Sequence, residues 1–135
     1  MRIHRLVLCL LLCGCATASR TALTPEESPV QAIDLSASDT GRTVQAKPGD
    51  VVSVRLAENP TTGYQWVLDM TPPDAWQATS TPFAPDGAGR IGGEGTRTWL
   101  LTALAPGETR VVFSLQRRWG GGAPTRRVEF VLVVR

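Results

Sequence analysis

From Val30 to the end of the chain, apolar and polar residues alternate with a period of two. The stretch DVVSVRLA at residues 50–57 is the clearest case, with Val52, Val54 and Leu56 on one face. Gly, Pro, Asn and Asp interrupt the alternation roughly every eight to twelve positions, which is typical of a β-sandwich or barrel. Pro or Gly also breaks every window long enough for a helix. The pattern therefore predicts an all-β domain.

The apolar positions predict seven strands in one domain, residues 30–135. They cover approximately residues 30–35, 50–57, 63–69, 76–83, 96–104, 109–117 and 126–134. Seven strands of this length favour two packed sheets, as in an immunoglobulin-like β-sandwich. In this arrangement Trp66 is expected to lie in the core.

The first 14 residues have the pattern of a bacterial lipoprotein signal peptide. A basic start, MRIHR, precedes the apolar run LVLCLLLCG, which is too short for a permanent membrane-spanning helix. The run ends at LCGC, residues 12–15, which resembles the lipobox, in which the Cys after a small residue is lipidated. We therefore expect residues 1–14 to be removed and Cys15 to carry lipid. The alternative is an ordinary secretory signal whose cysteines lie there by chance.

Residues 15–29 are small, polar and interrupted by proline, which predicts a flexible tether between the lipid and the domain. By resemblance to known lipoproteins, Ala16 favours the outer membrane, since an Asp after the lipidated Cys often retains such proteins at the inner membrane. We expect a monomer in the bacterial cell envelope, facing the periplasm or the cell surface.

Removal of the leader would also remove the only histidine, His4, together with Cys9 and Cys13. The mature domain could then form neither a Ser-His nor a Cys-His nucleophile pair, nor a zinc site with imidazole or thiolate ligands. The only lysine, Lys47, stands in a plain turn, AKPGD. We therefore predict that the protein is not an enzyme and uses no cofactor or metal.

Charge argues against nucleic acid as a partner. Without Arg2 and Arg5 the chain keeps 12 of its 14 basic residues against 12 acidic ones. Arginine pairs occur at 117–118 and 126–127, but no basic run is long enough to indicate a nucleic-acid surface.

Strands that alternate in direction place every second connection at the same end of a sandwich. The connections at 58–63, 84–95 and 118–124, the first, second and third loops, would share one end. The short turns at 70–75 and 105–107 would share the other. Because binding residues concentrate on loops held by a rigid scaffold, the three-loop end is the candidate site.

The first loop, NPTTG, is expected to be stiff. Pro60 fixes its own φ and favours an extended Asn59, while Gly63 can adopt a positive φ. Thr61 and Thr62 have few rotamers to lose on binding, which predicts a pre-organised wedge with exposed backbone and two hydroxyls. The alternative is a simple turn with incidental threonines.

The other two loops carry weaker signals. The second has five glycines between Gly87 and Gly95, which permit close backbone approach. The third places Trp119 next to Arg117 and Arg118 and before GGGAP. Trp and Arg are the residue types most enriched at binding hot spots, so Trp119 is expected to contact a partner.

The three loops together resemble those of the chagasin-type inhibitors of papain-like cysteine peptidases, over about residues 30–135. NPTTGY at 59–64 matches the first-loop motif of that family in full. GGEGTRTW at 92–99 is similar to its Gly-x-Gly-Gly loop, with Glu94 where a glycine is usual. RRW at 117–119 is similar to its Arg-Pro-Trp, with Arg118 in place of the proline.

The resemblance implies a reversible, non-covalent inhibitor that blocks the peptidase cleft. Thr61, Thr62 and Gly63 would enter the cleft over the catalytic Cys-His pair, and the other two loops would clasp either side. By this resemblance the expected peptidase-binding residues are Asn59, Pro60, Thr61, Thr62, Gly63, Tyr64, Gly92, Gly93, Gly95, Arg117 and Trp119. Arg118 in place of proline should make the third loop less rigid.

Two other functions use the same residues. A surface adhesion or envelope-assembly lipoprotein could present these loops to a different partner, because fold alone does not fix function. A carbohydrate binder could use Trp76 and Trp119 as stacking platforms, which requires both rings to be exposed.

Overall fold

The structure, a computed structural model, describes residues 30–87, 92–119 and 121–135. The predictions for the signal peptide, for lipidation at Cys15 and for the tether lie outside these residues. So do positions 88–91 of the second loop and Gly120 of the third. Within the described ranges the only helical segments are two 3-10 turns, Ala37–Asp39 and Pro60–Thr62, and no helix there is long and apolar enough to cross a membrane.

In the part of the chain that the structure describes, nine strands form two sheets that pack face to face. They are β1 (Ala32–Ser36), β2 (Thr43–Ala46), β3 (Val51–Glu58), β4 (Tyr64–Thr71), β5 (Trp76–Ser80), β6 (Ala84–Pro85), β7 (Gly95–Ala103), β8 (Gly107–Arg117) and β9 (Arg126–Val134). One sheet has the order β1-β3-β7-β5, with β6 also paired to β7, and the other has the order β2-β9-β8-β4. The predicted all-β, immunoglobulin-like sandwich is confirmed.

The seven-strand prediction missed β2 and β6. Strand β2 has only Val44 and Ala46 as inward positions, too few for a recognisable alternation, and it pairs in parallel with β9. Strand β6 has two residues. The strand predicted over 76–83 ends at Ser80, two residues before Pro82, which has no N–H to donate to a sheet.

The core lies between the sheets at the alternating positions that the sequence indicated. Val52, Val54 and Leu56 on β3 are at most 1% exposed, and Trp66 on β4 is 6% exposed, so its predicted core position is confirmed. The Trp66 Nε1–H donates to the carbonyl oxygen of Ala57 at 2.9 Å. Because β3 and β4 belong to different sheets, this bond joins the sheets directly beneath the first loop.

The loops divide between the two ends as the sequence predicts. At one end the backbone N–H of Leu104 donates to the carbonyl of Ala75 at 2.9 Å, which joins the turn after β4 to the turn after β7. At the other end lie the connections after β3, before β7 and after β8. The sheet pairing accounts for this division, because β3–β7, β5–β7, β4–β8 and β8–β9 are all antiparallel.

Candidate functional site

The first loop is a short 3-10 turn with its own internal bonds. Asn59 is extended, with φ −126° and ψ 97°, and Gly63 has φ 75°, as the sequence predicted. The Asn59 Oδ1 accepts from the N–H of Thr61 at 3.1 Å and from its hydroxyl at 2.6 Å. The Thr62 hydroxyl donates to the Asn59 carbonyl at 2.7 Å. The two threonines are exposed, but their hydroxyl protons are donated within the loop, so the threonines stiffen the tip.

The second loop contacts the first through Gly92. The Asn59 Nδ2–H donates to the Gly92 carbonyl at 3.2 Å. A Cβ built on Gly92 would lie 3.9 Å from the Thr61 Oγ1, and the φ of Gly92 is +84°, a conformation that favours glycine. The amide of Asn59 therefore fixes the Thr61 tip with its oxygen and the second loop with its nitrogen.

Gly95 has a packing role that the motif did not indicate. It is buried in β7, and a Cβ there would overlap the carbonyl oxygen of Ala84 and lie 2.6 Å from the Phe83 Cε2. Glu94 beside it is exposed, and its carbonyl accepts from the N–H of Asp86 at 3.0 Å. Glu94 is thus accommodated as an outward side chain.

The third loop closes on the first from the other side. The Arg118 N–H donates to the Gly63 carbonyl at 3.1 Å, and a Cβ on Gly63 would lie 3.5 Å from the Trp119 Cζ2. Trp119 is 70% exposed. The Arg117 guanidinium lies 5.1 Å from the centre of the Tyr64 ring, within the range of a cation–π contact. An exposed indole that lies against a stiff loop forms a pre-organised contact surface.

A partly buried ion pair that the sequence motifs did not indicate supports the base of the first loop. Arg97 on β7 donates from Nε and Nη2 to the two carboxylate oxygens of Glu58, at 2.8 and 2.9 Å. The Glu58 side chain is 2% exposed and that of Arg97 is 28% exposed. The carboxylate raises the pKa of Arg97 above its usual value, mainly through these hydrogen bonds. Glu58 directly precedes Asn59, so this pair ties the wedge to β7.

Two clefts flank the first loop where the sheets separate. One, of about 350 Å³, lies between β4 and β5, and its lining includes Gly63, Arg97, Arg118 and Trp119. The other, of about 440 Å³, lies on the opposite side, and its lining includes Thr62, Tyr64, Glu94 and Arg126. The uncharged tip of the first loop therefore stands between two clefts.

The described residues contain no cluster of three or more potential metal ligands among His, Cys, Asp and Glu. Trp76 is 3% exposed, so the carbohydrate reading, which requires two exposed tryptophans, is wrong. The site is a protruding surface of three joined loops.

The sequence of this domain matches the model of a known protein family. Residues 45–134 match the model of the chagasin family peptidase inhibitor I42. The chain belongs to the chagasin family of peptidase inhibitors. Chagasin from Trypanosoma cruzi is 27% identical over 85 residues, which cover 60% of this chain and 77% of chagasin.

Solved structures agree with the family assignment. The cysteine protease inhibitor EhICP2 from Entamoeba histolytica superposes with a TM-score of 0.67 and 27% identity, over 77% of this chain and 96% of EhICP2. PbICP-C, solved in complex with falcipain-2, gives a TM-score of 0.51 over 78% of this chain and 91% of PbICP-C. At 16% identity this second likeness concerns the fold alone.

The structure places every predicted binding residue of this chagasin-family chain at the three-loop end. Asn59–Tyr64, Gly92, Arg117 and Trp119 form the joined surface described above. Gly93 is half-buried beside Gly92, and Gly95 lies beneath the surface in β7. Contact of these residues with a peptidase stays a prediction.

Proposed function

We propose that the chain is a reversible, non-covalent inhibitor of papain-like cysteine peptidases that blocks the active-site cleft with its three-loop end. Family membership supports inhibition of a peptidase, and the name of the relative EhICP2 supports the cysteine class. The observation that carries the mechanism is the joining of all three loops around Asn59–Gly63.

The first loop acts as the wedge. Its tip, Pro60–Thr62, is exposed, uncharged and internally hydrogen-bonded, so it enters a cleft with little loss of conformational entropy. Trp119 supplies a large apolar contact beside the tip, and Arg117 supports the third loop from the Tyr64 ring. In this proposal the block is steric, because the wedge occupies the cleft without forming a covalent bond to the catalytic Cys.

The test is a titration of papain activity with residues 21–135 and with variants Thr62→Arg and Trp119→Ala. We expect stoichiometric, reversible inhibition by the unmodified domain and loss of inhibition in the double variant. Thr43→Arg and Leu104→Ala, both at exposed positions away from the three loops, are the matched controls. Absence of inhibition of papain and other cysteine peptidases at micromolar protein would refute the proposal and favour an adhesion or assembly role.

We also propose that Cys15 carries a lipid anchor in the bacterial cell envelope and that the domain is a monomer. The support for the anchor is the leader sequence. Strand β1 pairs in parallel with β3, from Ala32 opposite Val51, so the described chain begins at the end away from the three loops. An anchored domain would therefore be tethered at the end away from the three loops, through residues 16–29, which could span at most about 50 Å.

Cys15→Ser should move the protein from the membrane fraction to the soluble fraction. Light scattering on residues 21–135 should give the mass of a single copy. Retention of the Cys15→Ser variant on the membrane would refute lipidation at this cysteine.

A further inference from the structure

Four exposed arginines border the third loop on its two strands. Arg117 is the last residue of β8 and Arg118 follows it, and Arg126 and Arg127 begin β9. Arg118 lines the cleft on one side of the first loop, and Arg126 lines the cleft on the other. We call these four residues the basic flank. They stand beside the wedge on its third-loop side, while the wedge tip itself carries no charge.

None of the four arginines of the basic flank forms an ion pair within 4.0 Å in the described part of the chain. The ion pairs closer than 4.0 Å there involve four other arginines, namely Arg42, Arg55, Arg97 and Arg110. The charge of Arg127 contributes to the lowered pKa of Glu129, but that carboxylate is hydrogen-bonded to Arg110, at 2.8 Å. Glu58, which lines both clefts, is bonded to Arg97.

Negative charge lies on the other side of the wedge. Asp86 and Glu94 are exposed in the second loop, and Glu94 lines the same cleft as Arg126 without lying within ion-pair distance of it among the described contacts. Among the described residues, the three-loop surface thus carries four basic side chains on its third-loop side and two acidic ones on its second-loop side. A surface with such a charge gradient favours one orientation of a charged partner.

We propose that the basic flank selects cysteine peptidases whose cleft wall facing the third loop carries acidic side chains. This inference rests on the proposed inhibitory function and adds the chemistry of the preferred target. The wedge blocks the cleft by shape, so the flank acts on the rate of encounter and on orientation. Complementary charge raises association rates by roughly 10- to 1000-fold, and salt reduces the effect over a Debye length of about 8–10 Å.

The experiment measures association rate constants by stopped-flow inhibition of one papain-like peptidase in two engineered forms. One form carries two added aspartates and the other two added lysines on the cleft wall facing the third loop, at positions that leave hydrolysis of a small dipeptide substrate unchanged. The inhibitor is the full chain in a non-ionic detergent. We expect association with the aspartate form to be about tenfold faster at roughly 20 mM salt and about twofold faster at roughly 300 mM.

The variant Arg126→Gln/Arg127→Gln should reduce this preference to about threefold or less at low salt while inhibition of both forms persists. The matched control is Arg42→Gln/Arg55→Gln, which removes the same charge from side chains that are each 56% exposed and lie away from the loops. The control should keep the full preference.

Two results would overturn the inference while leaving the inhibitory function intact. One is equal association with the two peptidase forms, at equal inhibition. The other is an identical loss of preference in the control, which would indicate net charge rather than the flank. Absence of inhibition of either form at any salt concentration would instead remove the proposed function on which the inference rests.

Discussion

Replacing Arg97 should destabilise the domain far more than replacing its partner Glu58. In Arg97→Met the Glu58 carboxylate, whose side chain is 2% exposed, loses both of its donors. Breaking a buried pair in this way costs about 3–5 kcal/mol. In Glu58→Gln the guanidinium is left on a side chain that is 28% exposed and can reach water. We expect the free energy of unfolding to fall by about 1–2 kcal/mol there.

The double variant Glu58→Gln/Arg97→Met separates the energy of the ion pair from the energy lost through changed packing of each side chain. With no charge left in the site, it should be more stable than Arg97→Met alone by about 1 kcal/mol or more, which is a coupling between contacting residues. Urea unfolding followed by tryptophan fluorescence gives the four free energies of this cycle. Arg97→Lys, which keeps the charge but offers a single ammonium group, should lie between Arg97→Met and the unmodified protein.

The reasoning fails if Arg97→Met costs no more than Glu58→Gln, or if the double variant costs the sum of the two. Either result would mean that the Glu58 carboxylate is hydrated or otherwise bonded. Arg97→Lys covers the case in which Arg97→Met does not fold, because a domain with about 5–15 kcal/mol of total stability has little margin for the larger loss.

Three further changes test other parts of the site and fold. The Gly95→Ala variant should unfold at a clearly lower temperature than the unmodified protein, because its Cβ would overlap the Ala84 carbonyl and the Phe83 ring. Thermal unfolding measures this, with Gly122→Ala as the control, since a Cβ at Gly122 meets nothing within 4 Å. The Gly63→Ala variant should lose about 1–2 kcal/mol of stability, because residue 63 has φ 75°, a conformation that costs any residue with a Cβ. Papain titration should also show weaker inhibition by this variant, and an unchanged inhibition constant would contradict a pre-organised wedge. The Asp50 carboxylate accepts hydrogen bonds from the backbone N–H groups of Lys47 and Gln31, and these bonds lower its pKa below the ordinary 3.8. The contribution of Asp50 to stability is therefore present above pH 3.8 and is lost as the pH falls through the lower pKa of the folded state. Asp50→Asn should therefore be less stable than the unmodified protein at pH 7, and urea unfolding at several pH values should show this difference shrinking below pH 3.8; a difference that does not change with pH would contradict the assignment.

Several features of this protein follow from the sequence because they depend on local chemistry. Period-two alternation determines which residues of β3, β7, β8 and β9 face the core, since successive side chains of a strand point to opposite faces. The order Asn-Pro-Thr-Thr-Gly determines the first loop, because Pro60 restricts Asn59 and Gly63 alone accepts the positive φ. Strand alternation then brings three loops to one end.

The short strands could not be predicted from the sequence, because they are stabilised by pairing with strands that are distant in the chain. Strand β2 has four residues and two inward side chains, and it exists through its parallel pairing with β9, far along the chain. Parallel pairing of β1 with β3 likewise depends on the chain crossing between sheets. No local pattern in either segment specifies such a distant partner.

The ion pair beneath the wedge was predictable from the sequence only in part. Glu58 and Arg97 stand at inward positions of β3 and β7, so the alternation already flags two charged residues where apolar ones are expected. Only the register of the two strands, with Leu56 opposite Arg97 and Glu58 opposite Gly95, brings the two side chains into contact. Sequence determined the faces and the stiff loop, whereas tertiary structure determined the pairings, because a contact across a sheet depends on strands that are distant in the chain.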